Sequence, residues 1–296
     1  MRRKQKQKEI EKKIVISSRS FDTEYEKLEK AGYIVRKHYV KIDEDDLDET
    51  VVGIIAGTEP LPEYLLKCAP NLKVISRFGV GTDNIDMDYV KKHNIKIFTT
   101  TKHVDAVAEH TITLILSQLK NMKCIDKTQN RMLKGKTVGI IGYGKVGKRV
   151  SELVCAFGAN SIFYDTANIN YTFKKNEGGK TKTLEELLEK SDIITLHCPQ
   201  TQDTINMIDY EQFALMKKDV IFVNTARARI VNEAALYDFA QDYDHKIALD
   251  VCLHPEWFED IKNVLVTEHE ASYTYSTRKE MAEETIDNLL EGLCQK

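Results

Sequence analysis

The sequence lacks the features that mark several other classes of protein. No apolar run approaches the ~20 residues that a membrane-spanning helix needs, so we expect no membrane partner. The 43 Lys and Arg nearly balance the 46 Asp and Glu, and this near-neutral total gives no reason to expect a nucleic-acid partner. A composition with 42% hydrophobic and 30% charged residues is typical of a soluble globular protein.

Cysteine is sparse and never closely spaced. The nearest two of the six are Cys124 and Cys155, and no C-x-x-C pair exists. Neither a zinc site nor a dithiol redox motif is therefore indicated, and we expect no bound metal. Most of the cysteines lie in apolar surroundings, as buried free thiols do. This pattern predicts a reducing, cytoplasmic compartment.

Residues 1–13 alone depart from the charge balance, with seven basic and two acidic side chains. Such a segment could be an electrostatic tether or a targeting signal. No apolar signal-peptide core follows it, and transit peptides are poor in acidic residues. We expect a solvated tail.

Short apolar runs of strand length alternate with helical patterns through the first hundred residues. Strands are predicted at 14–17, 33–38, 51–56, 72–77 and 96–100, and helices at 23–31, 62–68 and 87–93. This alternation predicts crossover connections and a parallel sheet. No glycine fingerprint separates the first strand from its helix.

The alternation repeats in the second half of the chain. Strands are predicted at 137–141, 161–164, 192–198, 220–225, 246–251 and 264–267, and helices at 148–158, 184–190 and 233–241, with residues 168–180 as loop. Residues 104–123 form a helical pattern that is apolar around much of its circumference, so we expect it to pack against another domain or subunit. Residues 276–292 form the last predicted helix.

These patterns predict an α/β fold with two doubly wound parallel-sheet domains. One domain is discontinuous, comprising residues 1–99 and 272–296, and the other, residues 100–271, is inserted into it. Ligands of such open sheets usually bind outside the carboxyl ends of the strands.

The most informative stretch is a glycine-rich turn that follows the strand at 137–141. Gly142-Tyr143-Gly144-Lys145-Val146-Gly147 has the G-x-G-x-x-G spacing, and a helix follows it. Gly142 permits a tight turn, Gly144 lets the backbone approach a pyrophosphate, and Gly147 allows close packing of helix and strand. The helix N-terminus offers free N–H groups and a positive dipole end to phosphates.

Asp165 lies at the end of the next predicted strand, about 20 residues beyond the turn. An acidic residue there accepts a hydrogen bond from a ribose 2′-hydroxyl, and its charge repels a 2′-phosphate. The stretch therefore predicts a domain that binds NAD rather than NADP.

Three polar residues follow later strands of the same predicted sheet: Arg227, Asp250 and His269. Hydride transfer to a 2-oxo acid needs a cation for the carboxylate and an acid for the developing alkoxide. An arginine fork matches a carboxylate bidentately, and a histidine titrates in the working range. Taken singly, such an arginine is usually a surface ion pair and such a histidine a packing residue. Their common position at strand ends favours function.

The order and spacing of several motifs resemble the D-isomer-specific 2-hydroxyacid dehydrogenase family, whose relatives include 3-phosphoglycerate and glycerate dehydrogenases. Besides the glycine turn, the motifs are Arg77-Phe78-Gly79-Val80-Gly81-Thr82-Asp83-Asn84-Ile85-Asp86, Val107-Ala108-Glu109-His110, His197-Cys198-Pro199-Gln200-Thr201, Val223-Asn224-Thr225-Ala226-Arg227, Ala248-Leu249-Asp250-Val251 and Val266-Thr267-Glu268-His269. The similarity covers nearly all of residues 14–292. It implies an NAD-dependent oxidoreductase that acts on a small 2-hydroxy or 2-oxo acid.

The resemblance also implies cofactor-binding roles. Lys145 and Val146 would lie along the pyrophosphate, and Thr225 and Ala226 beside the nicotinamide ribose. Cys198 and Pro199 would contribute to the same site, and Asp250 would hold the nicotinamide carboxamide.

For the substrate, the resemblance implies that Arg227 orients it and His269 donates the proton. Backbone amides of Phe78, Gly79, Val80 and Gly81 would cradle its carboxylate. Arg77, beside this loop, would meet a second anionic group such as a phosphate or would form only an ion pair. The family also suggests a homodimer joined through the NAD-binding domain.

The partner of the histidine is the least determined of these residues. The family has Glu-Pro beginning five residues after the equivalent of Asp250, whereas this chain has Pro255 there and Glu256 one residue later. Glu256 is our choice, with Glu259, Glu268 and Glu270 as rivals. This departure leaves open an alternative function, an NAD(H)-binding regulatory protein with little or no turnover.

Overall fold

The computed structural model describes residues 11–18, 24–38, 41–122, 130–167, 177–241 and 245–294. Most of the basic N-terminal segment lies outside these ranges. The chain divides into two compact units, one formed by Met1–His103 with Thr274–Lys296 and the other by Val104–Tyr273. The predicted division lay at 99/100 and 271/272, a few residues before each of these boundaries.

The first unit contains one parallel sheet of five strands. Its elements up to His103 are β1 (Lys13–Ser17), α1 (Glu26–Lys30), β2 (Ile34–Lys37), β3 (Val51–Ala56), α2 (Glu63–Leu66), β4 (Val74–Arg77), α3 (Met87–Lys92) and β5 (Lys96–Thr99). The strand order is β2-β1-β3-β4-β5, which is the flavodoxin-like order. Strand β3 is buried along its whole length, as expected of a strand covered on both faces.

The second unit contains a parallel sheet of seven strands in the order β12-β11-β10-β9-β6-β7-β8. Its elements are α4 (Val104–Leu119), β6 (Thr137–Ile141), α5 (Lys145–Ala156), β7 (Asn160–Tyr164), β8 (Glu177–Lys180), α6 (Leu184–Lys190), β9 (Ile193–Leu196), α7 (Tyr210–Ala214), β10 (Ile221–Asn224), α8 (Glu233–Ala240), β11 (Lys246–Leu249) and β12 (Val264–Val266). The chain order reverses between β6 and β9, which is the position where such sheets bind dinucleotides. The predicted fold class, with a Rossmann domain inserted into a discontinuous one, is confirmed.

The last helix, α9 (Tyr275–Cys294), returns the chain to the first unit. Its buried side chains Ile286 and Leu289 pack with Ile14, Ile16 and Val74 of the first sheet. A separate cluster that includes Ile54, Leu65 and Ile75 covers the opposite face. The discontinuous domain therefore closes its core with residues from both ends of the chain.

Helix α4 packs within its own unit. Its apolar residues, among them Ile112, Leu114 and Ile115, are buried, and the helix packs against α5, β10 and β11 of its own unit. Its exposed positions carry Asp105, Glu109 and Thr113. Burial within the second unit therefore accounts for these apolar residues, and packing of α4 against another domain or subunit stays a prediction.

Two elements of the second unit were not predicted. Strand β8 lies in the segment that we expected to be loop, and pairs with β7 at the sheet edge. Helix α7 begins with a capping box in which Asp209 and Gln212 each accept a backbone N–H. No helix in the described part of the chain has both the length and the apolar character needed to cross a membrane.

Candidate active site

The glycine turn has the geometry that its spacing predicts. Gly142 follows β6 with φ = +90°, and a Cβ atom there would lie 2.5 Å from the backbone nitrogen of Cys198. A Cβ at Gly147 would lie 2.1 Å from the carbonyl oxygen of Gly142. Both positions exclude any side chain, so turn, helix and neighbouring strand pack backbone to backbone. Helix α5 begins at Lys145 rather than at the predicted residue 148.

Gly144 differs from the other two glycines because its missing side chain faces open space. No atom lies within 4 Å of the position of a Cβ there. Gly144 is the N-cap of α5, no side chain caps the helix, and Lys145 and Val146 form its first turn. The N–H groups of this turn are available to an anion. These features fit a dinucleotide pyrophosphate.

Asp165 follows β7 and is tied to the turn. Its Oδ2 accepts a hydrogen bond from the backbone N–H of Tyr143 (2.7 Å), and its Oδ1 accepts one from Ala167 (2.8 Å). Since a carboxylate has about four acceptor positions, it can accept a further hydrogen bond from a ribose hydroxyl. The carboxylate therefore lies beside the glycine turn, as the spacing requires.

The segment after β9 runs beside the turn and contains the predicted Cys198 and Pro199. Burial and the nearby charge of Asp165 raise the pKa of the Cys198 thiol to about 11, so this thiol is protonated and unreactive at neutral pH. Pro199 is exposed. His197 directly precedes Cys198. Its Nε2 lies 3.0 Å from Oγ1 of Thr195, and burial lowers the pKa of His197 to about 3. His197 is therefore a neutral packing residue.

The described cysteines are free, and Cys294 is exposed whereas the other four are half-buried. The prediction of buried thiols is therefore only partly right, and Cys124 lies outside the described residues. No three His, Cys, Asp or Glu side chains of the described ranges are grouped so that they could hold a metal ion.

Arg227, Asp250 and His269 follow three adjacent strands, β10, β11 and β12. Their strands pair in parallel, with Asn224 opposite Leu249 and Leu249 opposite Val266. The three residues therefore emerge at the carboxyl edge of one sheet, the same edge at which Gly142 leaves β6. This placement is what the parallel-strand pattern predicts.

The segment around Arg227 is fixed by its neighbours. Oδ1 of Asn224 accepts the N–H of Ala226 (3.0 Å), and Nδ2 of Asn224 donates to the carbonyl of Arg227 (3.0 Å). The hydroxyls of Thr225 and Thr111 are 3.1 Å apart. Arg227 itself is half-buried, and its Nη1 donates to the carbonyl of Ala226 (2.8 Å).

Asp250 has a fully buried carboxylate that bonds to the segment carrying His269. It accepts hydrogen bonds from Thr267 Oγ1 (2.6 Å) and from the N–H groups of Glu270 (2.9 Å) and Ala271 (3.1 Å). Burial opposes ionisation, but these bonds and His110 outweigh it, so the pKa of Asp250 lies below its usual value. The carboxylate is thus ionised and largely engaged within the protein. Its contact with a carboxamide stays a prediction.

The segment 252–258 holds Glu256 in a place the sequence did not indicate. Glu256 lies in a 3-10 helix, Pro255–Phe258, its side chain is 59% exposed, and its Oε1 is 3.1 Å from Nδ1 of His254. The His254 ring stacks on Trp257, and the backbone N–H of His254 donates to the buried Glu233 (3.0 Å). The structure therefore brings Glu256 to His254, and its pairing with His269 stays a prediction. Its rivals Glu259, Glu268 and Glu270 are all exposed.

In the first unit, Arg77 ends β4 and turns inward. The residue is 6% exposed, and its guanidinium donates to the carbonyls of Gly81 (3.0 Å), Ala56 (3.4 Å) and Phe78. These bonds join the end of the sheet to both ends of the loop 78–81. The structure thus shows three carbonyl partners for Arg77, and its contact with an anionic group stays a prediction.

The four amides of this loop are not equivalent. Phe78 donates to the carbonyl of Ala56 (2.9 Å), and Gly79, at φ = +136°, donates to Oγ1 of Thr100 (3.0 Å). Within the described ranges the structure shows no hydrogen bond from the N–H of Val80 or Gly81. The N–H groups of Phe78 and Gly79 are thus engaged within the protein, and the binding of a carboxylate by the four amides stays a prediction.

The comparisons with known proteins agree with this geometry. Residues 106–271 match the model of the NAD-binding domain of the D-isomer-specific 2-hydroxyacid dehydrogenases. The chain belongs to this family. It is therefore an NAD-dependent oxidoreductase of the class that acts on CH–OH groups.

Similar members of the family include a glyoxylate reductase of Aeropyrum pernix, 34% identical over 76% of this chain and 75% of that one. A D-3-phosphoglycerate dehydrogenase of Bacillus subtilis is 34% identical over 69% of this chain and 41% of its own length. A crystal structure of D-lactate dehydrogenase from Aquifex aeolicus, solved with NAD and lactic acid, superimposes with a TM-score of 0.82. It is 29% identical and covers 95% of this chain and 97% of that chain.

In this 2-hydroxyacid dehydrogenase, sequence reasoning missed two residues next to the candidate site, His110 and Thr267. His110 of α4 lies 3.3 Å from Asp250 Oδ1 and 3.3 Å from Thr267 Oγ1. Both residues stood in motifs that carry the resemblance, but neither received a role. Thr267 could have been found from its position at a strand end, two residues before His269. The contact of His110 with Asp250 joins residues far apart in the chain and has no local signature in the sequence.

Proposed function

We propose that the protein is a D-2-hydroxyacid dehydrogenase that interconverts a small 2-oxo acid and its 2-hydroxy acid with NAD(H). The main observation in support of this proposal is that Arg227, Asp250 and His269 follow β10, β11 and β12. They therefore lie at the sheet edge where the glycine turn leaves β6. The bound nicotinamide supplies or accepts the hydride at C2 of the substrate. The chain positions the substrate and handles the proton.

Arg227 binds the carboxylate and the carbonyl oxygen of the substrate. A guanidinium stays charged at every working pH and offers paired donors that fit a carboxylate. The segment from Asn224 to Arg227 is held by two internal hydrogen bonds, so the arginine backbone is pre-positioned. This rigidity favours a fixed substrate orientation, which contributes to rate.

His269 exchanges the proton on the C2 oxygen. The residue is exposed, its backbone is fixed by the hydrogen bond from its N–H to the carbonyl of Asp250 (2.9 Å), and imidazole titrates near neutral pH. A general acid needs access to the substrate, and an exposed side chain on a fixed backbone meets that need.

The loop 78–81 of the first unit binds the substrate carboxylate through the N–H groups of Val80 and Gly81. Arg77 and Thr100 hold the remaining loop atoms by hydrogen bonds. Successive backbone N–H groups in such a turn make an anion-binding concavity.

The preferred cofactor is NAD(H) rather than NADP(H). The carboxylate of Asp165 is bonded to the turn through Tyr143 and would meet the ribose 2′-hydroxyl. A 2′-phosphate in its place would face that negative charge.

The discriminating experiment is an initial-rate assay of NADH and NADPH oxidation with glyoxylate, hydroxypyruvate, pyruvate and 3-phosphohydroxypyruvate. We expect turnover of at least one 2-oxo acid, with NADH preferred. Faster rates with NADPH would contradict the cofactor assignment.

A second candidate, an NAD(H)-binding regulatory protein without turnover, is favoured by one observation: Glu256 pairs with His254. It predicts that NADH fluorescence changes on binding while none of the four acids is reduced. That pair of results would replace the enzyme proposal.

We also propose that the protein is a homodimer joined through its NAD-binding unit, as the resemblance implies. Since α4 buries its apolar face within its own unit, the joining surface would be more polar than the sequence indicated. Light scattering after size-exclusion chromatography gives the mass directly; a monomer at micromolar concentration would contradict this proposal.

A further inference from the structure

The backbone of His269 has an unusual conformation. Its φ is +52°, in the left-handed region that residues with a side chain rarely adopt. Such a conformation persists where the surroundings hold it, and it is found preferentially at functional sites. The residues that hold this backbone therefore determine where the imidazole lies.

Asp250 supplies most of these contacts. Its carbonyl accepts the N–H of His269 (2.9 Å), its Oδ1 accepts Glu270 N–H (2.9 Å) and Thr267 Oγ1 (2.6 Å), and its Oδ2 accepts Ala271 N–H (3.1 Å). One buried aspartate thus bonds to the residues on both sides of the histidine and to the histidine itself.

His110 completes the arrangement from α4. Its Nε2 lies 3.3 Å from Asp250 Oδ1 and 3.3 Å from Thr267 Oγ1, and the two side chains of the His110–Asp250 pair are 18% and 0% exposed. The Thr267 hydroxyl donates to Asp250, so both atoms facing Nε2 are acceptors. Nε2 therefore carries a hydrogen atom and donates a hydrogen bond to Asp250 Oδ1 and Thr267 Oγ1.

We propose that His110 and Asp250 form a positioning pair that fixes the left-handed backbone of His269 and thereby places its imidazole for proton exchange. The effect on turnover rests on the proposed function of His269. Without the donor from α4, the buried carboxylate would lose one compensating bond, and its hold on residues 267–271 would weaken.

The test compares His110→Phe, which removes the donor, with His110→Gln, which keeps an N–H donor on a shorter side chain. The matched control is His93→Gln, because His93 lies in the first unit and bonds to the carbonyl of Tyr89. Two readouts are taken: steady-state kcat and KM, and hydrogen–deuterium exchange of the peptide that contains residues 267–273.

In His110→Phe we expect kcat to fall about tenfold with KM for NADH unchanged, and amide exchange at residues 270 and 271 to rise about tenfold. His110→Gln should stay within about threefold of the wild type in both readouts. His93→Gln should change neither. Wild-type exchange and wild-type kcat in His110→Phe would overturn the proposal.

If His110→Phe does not fold, Thr267→Val decides, because it removes the hydroxyl donor to Asp250 and keeps the shape of the side chain. We expect the same increase in exchange, and unchanged exchange would overturn the proposal.

The proposed enzyme function and the proposed positioning pair can fail separately. A wild type that turns over no 2-oxo acid refutes the enzyme, whereas exchange at residues 267–273 still tests the positioning pair.

Discussion

At the scale of single residues, Arg77 shows how a site residue can act through its neighbours. The sequence placed a cation beside a glycine-rich loop, which suggested an anion or an acidic partner. In the structure the guanidinium bonds to the carbonyls of Ala56, Phe78 and Gly81. Three divergent acceptors require the planar fork of arginine, which lysine lacks.

We therefore expect Arg77→Lys to raise KM for the 2-oxo acid about tenfold, because a single ammonium cannot hold all three carbonyls and the loop loosens. The dissociation constant of NADH should not change. Initial rates and NADH fluorescence measure the two quantities, with Arg36→Lys, a half-exposed pair with Asp48, as control. A loss confined to 3-phosphohydroxypyruvate would show that Arg77 binds phosphate instead.

His197 leads to a prediction about stability. Its pKa is held at about 3 by burial, against about 6.5 in the unfolded chain. The unfolded state alone binds the proton as the pH falls from 6.5 towards 3. His197 should therefore contribute a fall of about 1.4 kcal/mol per pH unit to the free energy of unfolding in this range.

His197→Phe removes this titration and should flatten the slope, although it also leaves Thr195 without its partner at a cost of about 1–3 kcal/mol. Urea unfolding of both proteins at pH 6.5, 5.5 and 4.5 measures the slopes. Equal slopes would show that His197 is protonated in the folded state.

At the scale of elements, hydrophobic periodicity was sufficient for the strands and helices that build the two cores. It placed β3, β6 and α6 at their observed bounds. It did not detect β8, whose Gly178-Gly179 and edge position give no apolar alternation. It also missed α7, although the Asp209–Gln212 capping box was readable in the sequence.

The glycine turn and α5 give a prediction at this scale. Gly147→Ala would put a Cβ 2.1 Å from the carbonyl of Gly142, so α5 must shift and both stability and NADH affinity should fall. Gly144→Ala adds its methyl group in open space. It should change the free energy of unfolding by at most about 1 kcal/mol and still weaken NADH binding, because the methyl occupies the phosphate cradle.

Thermal unfolding and NADH titration of the two variants separate these effects. Wild-type NADH affinity in Gly144→Ala would show that the pyrophosphate does not approach this turn.

At the scale of the whole molecule, the sequence was sufficient for the fold class and for the positions of the residues that follow parallel strands. Arg227, Asp250 and His269 could be predicted because carboxyl ends of neighbouring strands meet at one edge. Three contacts could not be predicted: the hydrogen bonds of Arg77 to carbonyl groups, the pairing of Glu256 with His254, and the contact of His110 with Asp250. Each depends on side-chain packing among residues whose arrangement has no periodic signature, and the last joins residues far apart in the chain.

The enzyme assignment as a whole depends on Arg227 and His269 acting on one substrate. Arg229 offers a matched control for Arg227, since it is exposed and lies two residues further along the same segment. His93→Gln serves again as the histidine control. Comparison of Arg227→Ala and His269→Ala with the controls Arg229→Ala and His93→Gln separates the loss of a reacting group from the loss of any charge or any histidine.

The most direct measurement is steady-state NADH oxidation by the wild type, Arg227→Ala and His269→Ala with the best 2-oxo acid of the panel. We predict that kcat/KM falls at least about a hundredfold in each, with the dissociation constant of NADH unchanged and Arg229→Ala and His93→Gln like the wild type. Undiminished turnover in either Arg227→Ala or His269→Ala would contradict the proposed mechanism.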